Sequence, residues 1–252
     1  MDLSRTTARV AEQVVGRGTL ALIPVGATEQ HGPNLGMGVD YRLAEELARR
    51  IAAALGDAAL VTPCLPFGLS EHHMFAAGTV TLSPRVMQDV LTDIVRSLTR
   101  HDIRHFLFVN GHQGNVNLLG VLANQLHFDL GISVAGAFWM TQARDVIEKY
   151  RRTHRWGHAC EIETSVAMAL TPELVATANL EVSDLIEEYG PYADNYEPHA
   201  LTVPRSFATR TRNGVFGNAR LATKEAGEEI VQCAVERTVQ FARGFLAQIP
   251  LS

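Results

Sequence analysis

Apolar residues along this chain fall into short unbroken runs and longer periodic stretches, and the two alternate. Residues 19–25 (TLALIPV) are an apolar run stopped at Gly26, which predicts a strand buried on both faces. Over residues 41–55 the positions Leu43, Leu47, Ile51 and Leu55 recur every fourth residue and predict a helix, with Asp40 placed to cap it. Residues 59–62 read as a second strand, cut off by Pro63. A second helix is predicted over 84–100, with Ser83 as cap, Pro84 at its first position and Val86, Val90, Ile94 and Leu98 on one face. A strand at 105–109, a turn at 110–115, a helix at 116–130 and a strand at 132–138 follow. Two more helices are expected, at 161–170 and 224–246. Such alternation implies βαβ units, hence a single-domain, three-layer α/β/α fold around a mostly parallel central sheet. Residues 183–212 lack periodicity and read as a flap or interface loop.

Composition narrows the classes. With 252 residues, 46% of them hydrophobic, the chain can build one large core. A net charge of −5 argues against nucleic acid, whose binding rests on a basic patch. No apolar run approaches the ~20 residues that span a bilayer, and the polar start carries no signal-peptide core. Cys64, Cys160 and Cys233 are odd in number and far apart, which suggests reduced thiols. A cytoplasmic protein acting on a small molecule, with no membrane partner, is the expectation.

Four polar clusters fall beyond predicted strand ends, where open parallel sheets bind ligands. Glu29 and His31 lie two apart on an extended segment and face one side; Asp40 follows at the start of a helix. The turn Asn110-Gly111-His112-Gln113-Gly114-Asn115 offers His112. The stretch 157–165 offers His158, Glu161 and Glu163. If a helix began near His158, His158 and Glu161 would share a face and Glu163 would point away, so at most one glutamate reaches a given metal. Finally, Ser70-Glu71-His72-His73 carries adjacent histidines that diverge on a strand, so only one is expected to line a site. Glutamate, aspartate and histidine together suit Zn²⁺, Mn²⁺ or Fe²⁺ rather than a thiolate-rich structural zinc.

The string 24–33 (PVGATEQHGP) followed by Asp40, the Asn110-Gly111-His112 turn, the stretch 158–165 and the segment 217–223 (GNARLAT) resemble, in matching order, the creatininase (creatinine amidohydrolase) family. The similarity leans to the branch containing formamidopyrimidine deformylase and the mycofactocin maturation peptidase rather than creatininase itself. That resemblance implies an α/β hydrolase with two divalent metal ions, assembled as a homo-oligomer, a hexamer. It implies Glu29 and His112 as ligands of one metal, His31 of the other, and Asp40 as the bridge. Creatininase carries a further glutamate where this chain has Gly114, and Glu161 is expected to replace it as a ligand. His158 corresponds to the catalytic histidine and Glu163 to a group that orients it. His72, Gln113 and Trp156 are expected to contact substrate. The implied reaction is attack of a metal-bridged hydroxide on the carbonyl of an amide, cyclic amide or formamide, with His158 as general acid and base, on a non-peptide C–N bond. Hydrolytic C–C cleavage of a cyclic ketone, or a non-catalytic metal-binding oligomer, are the alternative readings.

Overall fold

The computed structural model describes residues 1–16, 18–186 and 204–247. After a short helix α1 (Ala8–Val14), the chain alternates β1 (Leu20–Val25), α2 (Val39–Leu55), β2 (Ala59–Val61), α3 (Pro84–Thr99), β3 (His105–Asn110), α4 (Val116–Leu130) and β4 (Ser133–Phe138). Two short helices, α5 (Trp139–Gln142) and α6 (Arg144–Tyr150), precede α7 (Glu161–Leu170) and the long α8 (Lys224–Leu246). The four strands form one parallel sheet in the order β2-β1-β3-β4.

Strand alternation builds the layers. Leu20 and Leu22 of β1, with Leu107 and Val109 of β3, pack against α2, α7 and α8. Ala21, Ile23 and Val25, with Phe106 and Phe108, pack against α3 and α4 on the other face. The three-layer expectation therefore holds, and so do most element bounds.

Two local readings are corrected. Asp40 does not cap α2: the N-cap is Gly38, and Asp40 lies buried inside the first turn. In α3 the fully buried stripe is Met87, Leu91 and Val95, while Val86 and Val90 are 48% and 36% exposed. The helix carries two neighbouring apolar rows, and only one can face the middle of the sheet. Of the expected flap, 187–203 lie outside the described residues; its flanks pair, with Leu185 bridged to Thr211 and Val182 to Asn218.

The strand order has one reversal. From β1 the chain crosses to β2 on one side, and from β3 to β4 on the other. The crevice at the carboxyl ends of β1 and β3 is thus the topological switch point.

Candidate metal centre

Both strands flanking that crevice end in the polar motifs. Beyond β1, Glu29 and His31 project together, each 1% exposed. Beyond β3, Asn110 folds its loop by accepting from the His112 amide at 3.1 Å and donating to the His112 carbonyl at 2.7 Å. Gly111 has a steric reason: a Cβ there would lie 2.0 Å from the Asp40 carbonyl oxygen. This close approach seats the end of β3 on the first turn of α2 and brings His112 beside Asp40.

Asp40 sits between two histidines, one for each oxygen. Its Oδ1 is 3.2 Å from His31 Nε2 and its Oδ2 is 3.0 Å from His112 Nδ1. The far nitrogens face backbone carbonyls: His31 Nδ1 lies 3.1 Å from the Glu29 oxygen, and His112 Nε2 lies 3.1 Å from the Leu69 oxygen. A carbonyl only accepts, so those nitrogens carry the proton and the nitrogens facing Asp40 are left as potential ligands, the arrangement typical of metal-binding histidine. Glu163 Oε2 is 3.7 Å from His31 Nε2. Glu29 Oε2 is 3.3 Å from His112 Nε2, and its Oε1 is 3.3 Å from His73 Nε2.

These close pairs are poorly satisfied as hydrogen bonds. Both Glu29 oxygens and Asp40 Oδ2 are buried without a hydrogen bond of acceptable geometry, although nitrogens lie within 3.3 Å. Buried carboxylates are ordinarily well partnered. Converging, under-satisfied carboxylate oxygens and imidazole nitrogens are what a divalent cation would complete. Three groups have ligand atoms all within 4.8 Å of one another: Glu29, His31 and His158; Glu29, His72 and His112; and His31, Asp40 and Glu163. The residues present fit divalent metal.

Without a cation the charges distort one another. Burial alone would lower His31 and His112, but the facing carboxylates outweigh it and raise them to about 10 and about 9. Burial dominates at Glu29 and Glu163 and lifts each to about 7. Asp40 is held below the usual carboxylate range: burial opposes its ionisation, but His31 and His112 prevail. His158 is pushed well below its ordinary value by burial and by the neighbouring His31.

His158 precedes α7 and is held by an antiparallel bridge to Phe216. Its ring lies 4.4 Å from that of His31 and 4.3 Å from that of His73. Its Nε2 is 2.7 Å from the Gln30 backbone oxygen and therefore carries the proton, while its Nδ1 faces Glu29 Oε1 at 3.9 Å. The Gln30 side chain lies against the same nitrogen, its amide nitrogen 3.0 Å from His158 Nε2. Its side-chain amide lies 2.8 Å from His73 Nδ1 and 3.3 Å from the Gly214 oxygen, and its Oε1 accepts from Gly32 at 2.8 Å.

Several expectations need correction. Glu161 is not with the cluster: its Oε1 accepts from the amides of Arg152 and Thr153 at 3.2 and 2.8 Å, and its Oε2 from Asn218 at 3.0 Å. Because α7 starts at Glu161 itself, not at His158, the helical phase turns Glu161 away and carries Glu163 inward. Glu163 also accepts from the Ala159 amide at 2.6 Å. Trp156, expected at the substrate, is 4% exposed and packs in the core behind the sheet. His72 and His73 occupy a one-turn 3₁₀ helix, not a strand, so both rings face the site, 4.3 Å apart. Sequence reasoning therefore missed His73 as well as Gln30; the signal was two histidines in a short polar turn between Ser70 and Gly78. Gln113 begins the turn after His112 and is exposed. Gly114 fits tightly, since a Cβ there would lie 2.4 Å from His112 Nε2.

The family model for creatininase, described as creatinine amidohydrolase, matches residues 4–242. The chain belongs to the creatininase family. It is 29% identical over 236 residues to the mycofactocin precursor peptide peptidase of Mycolicibacterium smegmatis, covering 90% of this chain and 85% of the relative. It is 28% identical over 232 residues to the creatinine amidohydrolase of Pseudomonas putida, covering 85% of each. A solved structure described as "Creatininase Mn" superposes with a TM-score of 0.81 at 26% identity, covering 98% of this chain and 99% of that one. This creatininase-family chain is a hydrolase with a divalent-metal site. Among the described residues no helix is long and apolar enough to cross a membrane.

Proposed function

We propose that the chain hydrolyses an amide-type C–N bond of a small substrate with two divalent ions, zinc, manganese or iron. One observation carries the reading: Asp40 lies between His31 Nε2 and His112 Nδ1, and both histidines are turned toward it by backbone carbonyls. Asp40 would be shared between the ions, with Glu29 and His112 on one side and His31 and Glu163 on the other. A bound divalent cation supplies Lewis acidity to a carbonyl and makes water nucleophilic near neutral pH.

The chain's own groups then manage protons and access. His158 is neutral, with its Nε2 proton tied to the Gln30 carbonyl and its Nδ1 lone pair open to the cluster. It can accept a proton from water and return it to the departing nitrogen. Glu163, anchored by the Ala159 amide, fixes the approach to His31. His72 and Gln113 flank the entrance and contact substrate. The relatives are named for a peptide and for creatinine, so peptide and non-peptide amides both fall within the reading.

Elemental analysis of the wild-type protein and Asp40→Ala tests it, alongside hydrolysis of formamides, cyclic amides and short peptides. Near two ions per chain, lost with activity in the variant, is expected. One ion or none, indifferent to Asp40, would overturn it. Assembly as a cytoplasmic homo-oligomer belongs to the same reading: Val121 and Phe128 of α4 are 66% and 70% exposed, apolar surface of the kind that closes between copies. Phe128→Asp should then shift the mass measured by light scattering toward the single chain.

A further inference from the structure

We propose that His73 is a positioning residue of the metal centre: its Nε2–H holds Glu29 by Oε1 and presents Oε2 to the cation. The inference rests on the metal-dependent reading above and adds to it a residue that itself touches no ion.

His31, His72, His112 and His158 each belong to a group of side chains that could ligate an ion. His73 belongs to none, although it is buried among them at 1% exposure. Its proton explains why. Gln30 is oriented by two backbone groups of fixed character: the Gly32 amide donates to its Oε1 at 2.8 Å, and the Gly214 carbonyl faces its Nε2 at 3.3 Å. Gln30 Nε2 therefore offers two hydrogens, one of which goes to Gly214. His158 Nε2, 3.0 Å away, already donates to the Gln30 carbonyl and cannot take the other. That hydrogen goes to His73 Nδ1 at 2.8 Å. With Nδ1 accepting, the ring carries its own proton on Nε2.

That proton faces Glu29. His73 Nε2 lies 3.3 Å from Glu29 Oε1, while His158 Nδ1, at 3.9 Å from the same oxygen, brings a lone pair rather than a proton. Oε1 is buried and has no well-aligned hydrogen bond, so His73 is the donor at hand. The second oxygen, Oε2, turns to His112 at 3.3 Å. The His73 ring is held in place: it stacks on His158 at 4.3 Å, Phe207 packs on it at 4.3 Å, and its own amide donates to the Ser70 carbonyl at 2.9 Å. A donor on one oxygen of a buried carboxylate favours the ionised form and fixes which oxygen is left for a metal, which is how groups behind a ligand tune affinity.

Mn²⁺ affinity tests this, read by electron paramagnetic resonance of the free ion during titration of the full-length protein and its variants. His73→Leu, which cannot donate, should weaken Mn²⁺ binding by about 10–100-fold, with the ions per chain at saturation as in the wild type. His73→Gln places an amide where the Nε2–H stood and should recover most of that loss. His73→Asn places its amide where Nδ1 stood, keeps only the Gln30 contact and should bind as weakly as His73→Leu. A ring that merely fills space would not separate the two amides. Wild-type affinity in His73→Leu, or His73→Asn recovering as much as His73→Gln, would overturn the inference while leaving the hydrolase reading in place. Failure of the wild type to take up Mn²⁺, Zn²⁺ or Fe²⁺ would overturn both. If His73→Leu does not fold, His73→Gln against His73→Asn still decides.

Discussion

His31, His73, His112 and His158 each have one nitrogen engaged by a backbone or side-chain partner, which leaves the other to the chemistry. Gln30 is the hub for two of them, through its carbonyl to His158 and its amide to His73. Gln30→Leu should leave metal stoichiometry unchanged and lower kcat by about 10–100-fold, the usual range for a group that orients a ligand or base; steady-state kinetics with elemental analysis checks it. Glu161 is the opposite case. It has a ligand's chemistry but holds three backbone amides, so Glu161→Ala should leave metal content unchanged and lose about 3 kcal/mol of stability, from the buried hydrogen bonds it removes. Denaturant unfolding and metal analysis separate the two effects; a fall in metal content would reinstate the ligand role that the sequence suggested. The residue types of the centre were legible in the chain. Their directions were not, because a side chain two positions along can be opposed on a helix and aligned on a strand.

At the level of elements, helix phase decided what spacing left open. Both glutamates of α7 lie in one short stretch, and the start at Glu161 selects Glu163. In α3, a repeat of four marked Val86 and Val90 as inward, but the packed row is one residue on. Leu91→Ala should therefore cost about 3 kcal/mol, by loss of buried volume, whereas Val90→Ala should change stability by no more than about 0.5 kcal/mol. Urea melts of both variants check the order; a larger loss at Val90 would contradict the packing. The strands and long helices were legible because their apolar runs and caps are local signals. Helices α5 and α6 were not, being short segments whose order comes from packing on α8.

For the whole molecule, the centre is assembled from loops that meet only when the sheet forms, and its charge makes metal part of stability. His31 and His112, raised to about 10 and about 9, bind protons more tightly in the folded chain than in the unfolded one. Their contribution is complete below the ordinary histidine range and is lost as pH rises through those values. Glu29 and Glu163, at about 7, act in the same direction at lower pH. The depressed His72, His73 and His158 act oppositely, but above about pH 7.5 they are neutral in both states. Metal-stripped protein should therefore lose thermal stability between pH 7.5 and 9. Binding of metal replaces those protons, so the gain in Tm on adding Mn²⁺ should widen over the same interval. Thermal scans with and without chelator check this, and a gap that narrows would contradict the assignment of the two histidines.

From the linear chain alone came the alternating elements, the layered fold, the family and the inventory of carboxylates and imidazoles, because each is written in short-range periodicity or contiguous motifs. Tertiary structure decided which glutamate faces the centre, that His73 and Gln30 belong to it, and that Trp156 lies in the core. Those outcomes depend on where a helix begins, how a turn closes and which loops meet at the crevice between β1 and β3, and contacts across more than 100 residues, such as Gln30 with His158, have no local signature.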